Sequence, residues 1–371
     1  MKKTPASGQG YPPPPRLSSL EGQARAVERL RAHLSTDDII APMLFSGPTG
    51  VGKLTAARAF AASLLCSDRR GDDACQVCAA CHRVAEASAA TDLRARGGKT
   101  SGTYTYPDVG IISVPAQRAR ISVQQSRDLV HSMSLHPFSL SHRVYIVEPA
   151  DRLSSEAANA LLKVLEEPPA FGVLILVTDA PWSLPITVRS RVQELRFGAL
   201  SPEVIESILI GEGESPQSAR RRAERARGSL DRARCIGDDE APRVETWLKI
   251  LAQVGTMPPG ALAVAAGETL GPDGPQARAA LETLLEILRD LSAHLAGAPT
   301  LVLAEEQART LLEAAPRLAT DQALERSAMV YRLRREMEIF NRNPRIAVEG
   351  ALLALEGTLR ETDFPPIPTP G

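Results

Sequence analysis

The segment Met43–Thr55, MLFSGPTGVGKLT, constrains this chain most, because it prescribes a strand, a glycine turn and a helix in one run. Gly47, Gly52 and Lys53 stand at the spacing of a G-x-x-x-x-G-K-[ST] phosphate loop. In such a loop, backbone N–H groups at a helix N-terminus cradle phosphates and the lysine reaches the outer ones. Gly47, Pro48, Thr49, Gly50, Val51, Gly52 and Lys53 are therefore candidate nucleotide-binding residues, with ATP or ADP as the expected ligand. The next position calls for a hydroxyl to hold Mg2+, and Leu54 stands there instead. Thr55, one residue on, is kept as a candidate contact although a helix turns it away from that place.

A second departure has the same sense. Val144–Val147 in HRVYIVEPADRL is a short β-branched run of the kind buried in a parallel sheet. A phosphate-loop ATPase ends this strand in an Asp for the metal, followed by a Glu that activates water. Here Glu148 takes the Asp place, a candidate contact to nucleotide or metal, and Pro149 has no side chain to accept a proton. Together these read as a degenerate ATPase site, with Mg2+ poorly supported and intrinsic ATPase activity weak or absent.

Four of the five cysteines, Cys66, Cys75, Cys78 and Cys81, fall in one window with the pattern C-x8-C-x2-C-x2-C. Two adjacent CxxC steps let thiolates converge on one ion, and zinc suits four sulfurs without redox demand. A structural Zn2+ is the expectation; an iron–sulfur cluster lacks the usual fourth Cys followed by Pro.

The net charge is −1 with 23% charged residues, so no global basic field supports independent nucleic-acid binding. No apolar run approaches a membrane span and no h-region follows the first lysines, which excludes a membrane role and points to the cytoplasm. The Pro-rich segment 1–16 and the end, 359–371, read as disordered tails, and 92–106 as a flexible insertion. Between them, strands at Met43–Ser46, Val109–Val114, Val144–Val147 and Val173–Val177 alternate with helices at Leu20–Leu34, Leu54–Leu65, Gln124–Ser134 and Ser155–Glu167. That alternation predicts an α/β domain, a parallel sheet with helices on both faces, over 17–197. Beyond it the strand signal stops. A small all-α lid is expected at 198–240 and an all-α collar for oligomerisation at 241–358, where Leu281, Leu284, Leu285, Leu288 and Leu291 form one stripe.

With these motifs in order, the chain resembles the bacterial DNA polymerase III clamp loader, a ring of AAA+ subunits that opens the sliding clamp with ATP. The carrying residues are GPTGVGK (Gly47–Lys53), the four cysteines, YPDV (Tyr106–Val109), VEPADRLSSEAANALLKVLEEPP (Val147–Pro169) and LPITVRSR (Leu184–Arg191). The resemblance implies partnership with gamma/tau and delta subunits, the sliding clamp and primer-template DNA, within a polymerase (nucleotidyltransferase) holoenzyme at the nucleoid-associated replisome.

The departures single out a branch of that family. Motor subunits carry Ser or Thr after the loop lysine, an Asp-Glu pair, and an Arg in a G-S-x-R-D-A segment that here reads GSLDRA, with Asp231 in the Arg place. The chain thus resembles the delta-prime, non-hydrolysing branch. Ser190-Arg191 is similar to the family's Ser-Arg-Cys motif, which implies that Arg191 is a finger reaching a neighbour's ATP. Thr178 resembles the sensor position, with capping of the turn before Asp179 as its alternative role. Two rival readings remain: an ATP-hydrolysing gamma/tau-like motor subunit, and a DNA-binding module built on the zinc ribbon.

Overall fold

The computed structural model describes residues 11–35, 41–95, 103–106, 108–115, 120–236, 240–271, 273–298, 300, 302–303, 305–315, 322–340 and 343–357. The predicted tail at 359–371, most of the one at 1–16, the centre of the 92–106 insertion and Pro107 of YPDV lie outside them. The chain divides into two compact units, the first running to Arg234 and the second beginning at Cys235.

In chain order the first unit holds α1 (Ala24–Leu34), β1 (Met43–Ser46), α2 (Lys53–Leu65), α3 (Ala79–Ala95), β2 (Thr103–Tyr106), β3 (Val109–Ile112) and α4 (Val123–Met133). There follow β4 (Arg143–Val147), α5 (Ser155–Glu166), β5 (Gly172–Thr178), α6 (Ile186–Arg189), β6 (Gln193–Arg196), α7 (Pro202–Gly211), α8 (Pro216–Arg225) and α9 (Leu230–Cys235). The strands form one sheet in the order β2-β3-β4-β5-β1-β6. Five of them run parallel, and β2 is antiparallel to β3 at the edge.

The central strands are buried on both sides, and successive residues serve opposite cores. Val144 and Ile146 face a core shared with α1, α2 and α3, whereas Tyr145 and Val147 face one shared with α4, α5 and α6. Helices thus cover both faces, as the alternation predicts. Ser122 caps α4 in a capping box with Gln125, and Ser154 caps α5 by accepting from the Ala157 N–H. Helix α1 begins at Ala24 rather than Leu20, because Gly22 takes a positive φ of 73° in the turn before it.

Two expectations are corrected. The flexible insertion at 92–106 is not irregular throughout: 92–95 ends α3 and 103–106 forms β2. The strand expected over Val109–Val114 stops at Ile112.

The Asp108 carboxylate fixes one end of the sheet. It is fully buried and accepts the N–H groups of Phe138 at 2.6 Å, Ser139 at 2.9 Å and Leu140 at 3.1 Å. The buried Arg143 stands 3.7 Å away and donates to the Ser132 and His136 carbonyls. The Asp of YPDV therefore ties the α4–β4 loop to the start of β3.

Helices α7, α8 and α9 share a small apolar cluster around Ile205, Leu209, Ala219 and Ala223. The second unit is helical: α10 (Glu240–Leu251), α11 (Pro259–Leu270), α12 (Gly274–Leu295), α13 (Glu305–Ala314), α14 (Gln322–Phe340) and α15 (Pro344–Leu355). The leucine stripe of α12 enters its core, with Leu281, Leu284, Leu288 and Leu291 buried and Leu285 packed at the margin. Trp247 of α10, also buried there, donates its indole N–H to the Ala280 carbonyl at 2.9 Å.

Removing the Asp108 carboxylate leaves a buried guanidinium without its counter-charge and three N–H groups without their acceptor. Asp108→Ala is expected to cost about 3–5 kcal/mol in urea unfolding, measured as a lowered midpoint for the first unit.

Candidate functional site

The site lies at the carboxyl ends of the parallel strands, where Ser46 of β1 stands in register with Thr178 of β5 and Arg196 of β6. This is where the strand order reverses, so the loops that follow part and leave a crevice. The loop after β1 holds Gly47, Gly50 and Gly52 at φ of 145°, 73° and 93°. Two of these are forced by close approach. A Cβ at Gly47 would lie 2.2 Å from the Phe197 carbonyl oxygen, and one at Gly50 2.2 Å from the Ser229 hydroxyl.

Lys53 is 7% exposed, and its ammonium turns back onto the loop. Nζ donates to the Gly47 carbonyl at 2.8 Å and the Pro48 carbonyl at 2.5 Å. Burial lowers its pKa from the ordinary lysine value, opposed by the negative charges of Asp179, Glu148, Asp231 and Asp151. Two of these acids are tied down nearby. The Thr49 hydroxyl donates to Asp179 at 2.6 Å, and the buried Thr178 hydroxyl donates to Asp151 at 2.7 Å. Thr178 also accepts the Ala180 N–H at 3.0 Å, so it caps the turn and orients an acid at once. The Val51 carbonyl accepts from Gln23 at 3.3 Å, while Thr55 is exposed on α2 and Leu54 packs against the core.

The start of α9 closes on the loop. The Leu230 N–H donates to the Gly50 carbonyl at 2.8 Å, and Ser229 and Asp231 crowd the position where a Gly50 side chain would stand.

Arg191 is not among these partners. It follows α6, where Nε donates to Glu166 at 2.6 Å and Nη1 to the Thr187 carbonyl at 2.9 Å and the Ser190 hydroxyl at 3.2 Å.

The four cysteines converge between α2 and the first turn of α3, their sulfurs all within 4.8 Å of one another. Sγ of Cys78 is 3.8 Å from that of Cys66 and 3.5 Å from that of Cys81, and Cys75 is 3.9 Å from Cys81. A tetrahedral ion with Zn–S bonds of about 2.3 Å needs sulfur–sulfur edges of about 3.8 Å, so the donor set fits. The Cys75 N–H donates to Cys66 Sγ at 3.2 Å and the Cys78 N–H to Cys75 Sγ at 3.3 Å, as outer hydrogen bonds to metal thiolates do.

Comparison with known proteins finds a family-model match within the first unit. Residues 22–201 match the family model described as DNA polymerase III, delta subunit. The delta' subunit of Bacillus subtilis DNA polymerase III is 32% identical over 203 residues, 54% of this chain and 55% of that protein. Over that stretch the chain is similar to clamp-loader AAA+ subunits. The Bacillus subtilis tau subunit is 30% identical over 192 residues, 52% of this chain and 31% of that protein. The chain thus spans about a third to a half of the curated relatives it matches. A gamma-subunit-related protein of Thermotoga maritima, solved as a crystal structure, aligns over 89% of this chain and 98% of its own at 16% identity and TM-score 0.40, too low to weigh on the fold.

The structure brings together the loop, Glu148 and Thr178, and holds Arg191 and the cysteines in separate settings. It adds residues that no spacing had singled out: Asp151, Asp179, Ser229 and Glu166. Asp151 and Asp179 carried a signal, since they lie four residues and one residue beyond the ends of β4 and β5, which face the loop. Glu166 carried none, because only the fold brings α5's last residue to Arg191.

Gly50→Ala would place a methyl against Ser229 in a left-handed backbone. We expect a loss of about 1–3 kcal/mol and faster hydrogen exchange at the Leu230 amide, read by exchange mass spectrometry.

Proposed function

We propose that this chain is a delta-prime-like clamp-loader subunit that does not itself hydrolyse ATP efficiently. Within the loader it would hold the ring's geometry beside delta and gamma/tau subunits, and help place the sliding clamp on primer-template DNA. One observation carries this reading: the Lys53 ammonium is satisfied by its own loop's carbonyls, with Leu54 where a metal-holding hydroxyl belongs. Incoming phosphates must displace those carbonyls and approach four acidic side chains. Pro149 supplies no base to activate water.

The chemistry is then the neighbour's, and Arg191 is the residue offered to it. A permanently charged, planar guanidinium suits charge developing on a transferred phosphoryl group, and an arginine given in trans accelerates hydrolysis by about 10³–10⁵. Helices α7, α8 and α9 would act as the lid at 198–240, and the second unit as the collar at 241–358. Cys66, Cys75, Cys78 and Cys81 would hold one structural Zn2+, supported by sulfur spacings that match its coordination. When bound, the ion supplies cross-linking of the α2–α3 connection rather than catalysis. Among the described residues no helix is long and apolar enough to cross a membrane.

A second reading has its own support. The 30% identity with a tau subunit favours a motor that hydrolyses ATP slowly, with Glu148 at the metal. ATPase measurements on the chain alone, and on the chain with delta, gamma/tau, clamp and primed DNA, separate the two. We expect no turnover alone, strong turnover in the mixture, a loss of about a hundredfold or more with Arg191→Ala, and little change with Lys53→Ala. Turnover by the pure chain that Lys53→Ala abolishes would establish the motor instead.

The metal is tested separately. One zinc per chain is expected by elemental analysis, and Cys78→Ser should lose it and lower the unfolding midpoint of the first unit.

A further inference from the structure

Arg191 is held along one edge only. Its Nε and Nη1 are engaged by Glu166, Thr187 and Ser190, and Nη2 has no hydrogen-bond partner among the described residues. A guanidinium is rigid and planar, so fixing two of its nitrogens fixes where the third points. The supports come from two elements packed in one core. Glu166 ends α5, whose Leu161 and Leu165 are buried with Val188 of α6, the helix that leads into Arg191. The Arg191 side chain is half-buried at 35% exposure and that of Glu166 is exposed at 49%. The same segment leaves Trp182 and Ile186 largely uncovered, at 74% and 70%.

We propose that Glu166 is a positioning residue for Arg191, holding the guanidinium by Nε so that the free Nη2 edge is presented to phosphate oxygens on a neighbouring subunit. This rests on the reading of Arg191 as a finger acting in trans. The physical basis is preorganisation. An arginine side chain carries considerable rotamer entropy, and a group already aimed loses less of it when it engages. The pair is too exposed to be a strong lock, and its carboxylate offsets some positive charge. The gain is therefore one of aim and is modest. Glu167, the next carboxylate, makes no bond to Arg191.

The test uses the full chain assembled with delta and gamma/tau subunits, clamp and primed DNA, with assembly followed by gel filtration. Glu166→Ala is expected to lower kcat for ATP about two- to fivefold, the scale of an exposed ion pair, leaving KM and assembly unchanged. Glu166→Gln, whose amide oxygen accepts the same N–H, should restore most of the rate. Glu167→Ala should match wild type. A Glu166→Ala rate equal to or above wild type, with Arg191→Ala still slow, would overturn the positioning role and leave the finger intact. Failure of Glu166→Ala to assemble would overturn it in favour of an interface role. An Arg191→Ala rate equal to wild type would remove the finger reading itself, and this proposal with it.

Discussion

A buried ammonium has to be met by oxygen, and Lys53 places that demand at the centre of the first unit. Taking such a charge out of water without partners costs many kcal/mol. The demand is answered by the Gly47 and Pro48 carbonyls and eased by the negative charges of Asp179, Glu148, Asp231 and Asp151. The rest of the local architecture follows. The loop must curl so that its carbonyls face inward, which requires left-handed backbone at Gly50 and Gly52. Once curled, the Gly50 carbonyl points outward, and the Leu230 N–H takes it. The start of α9 is thereby bonded to the loop directly.

The sheet explains why this centre and Arg191 are separate. β1 lies between β5 and β6, so the loop after β1 shares a crevice with Thr178 and the turn at Asp179. Arg191 comes after that turn, in the short passage from α6 to β6, and is bonded to α5 and α6 instead. A residue there has no hydrogen bond to its own loop and a partly exposed guanidinium. In the proposed reading this geometry suits an arginine that serves another subunit.

How much could be read beforehand depended on whether a residue's neighbours were local. The strands β1, β4 and β5 were legible because burial on both faces demands unbroken apolar runs, as in VYIV and GVLILV. β6 was not: QELR lies at the sheet's edge, only Leu195 is buried, and its pairing with β1 leaves no apolar signature. β2, reading TYTY, was hidden inside a segment whose glycines and threonines suggested a loop. The phosphate-loop glycines and the cysteine window were legible because their chemistry depends on short spacing. Glu166 beside Arg191, and Ser229 beside Gly50, were not, since their sequence separations are bridged only by the folded sheet.

The loop also has a use that does not involve phosphate. A Gly47 side chain would strike the Phe197 carbonyl, and the Phe197 N–H donates to the Ser46 carbonyl at 2.8 Å. Gln23, buried before α1, donates to the Val51 and Gly198 carbonyls and accepts the Gly198 N–H. The loop therefore joins the N-terminal turn, the end of β6 and the start of α9 in one hydrogen-bonded junction. Replacing Gly47 would disturb that junction whether or not a nucleotide ever bound. The loop glycines thus have a packing role of their own. Leu54 and Pro149 stand where the metal-holding hydroxyl and the water-activating acid belong. In the proposed reading, a chain relieved of hydrolysis would keep the glycines for its fold while losing the groups that serve hydrolysis.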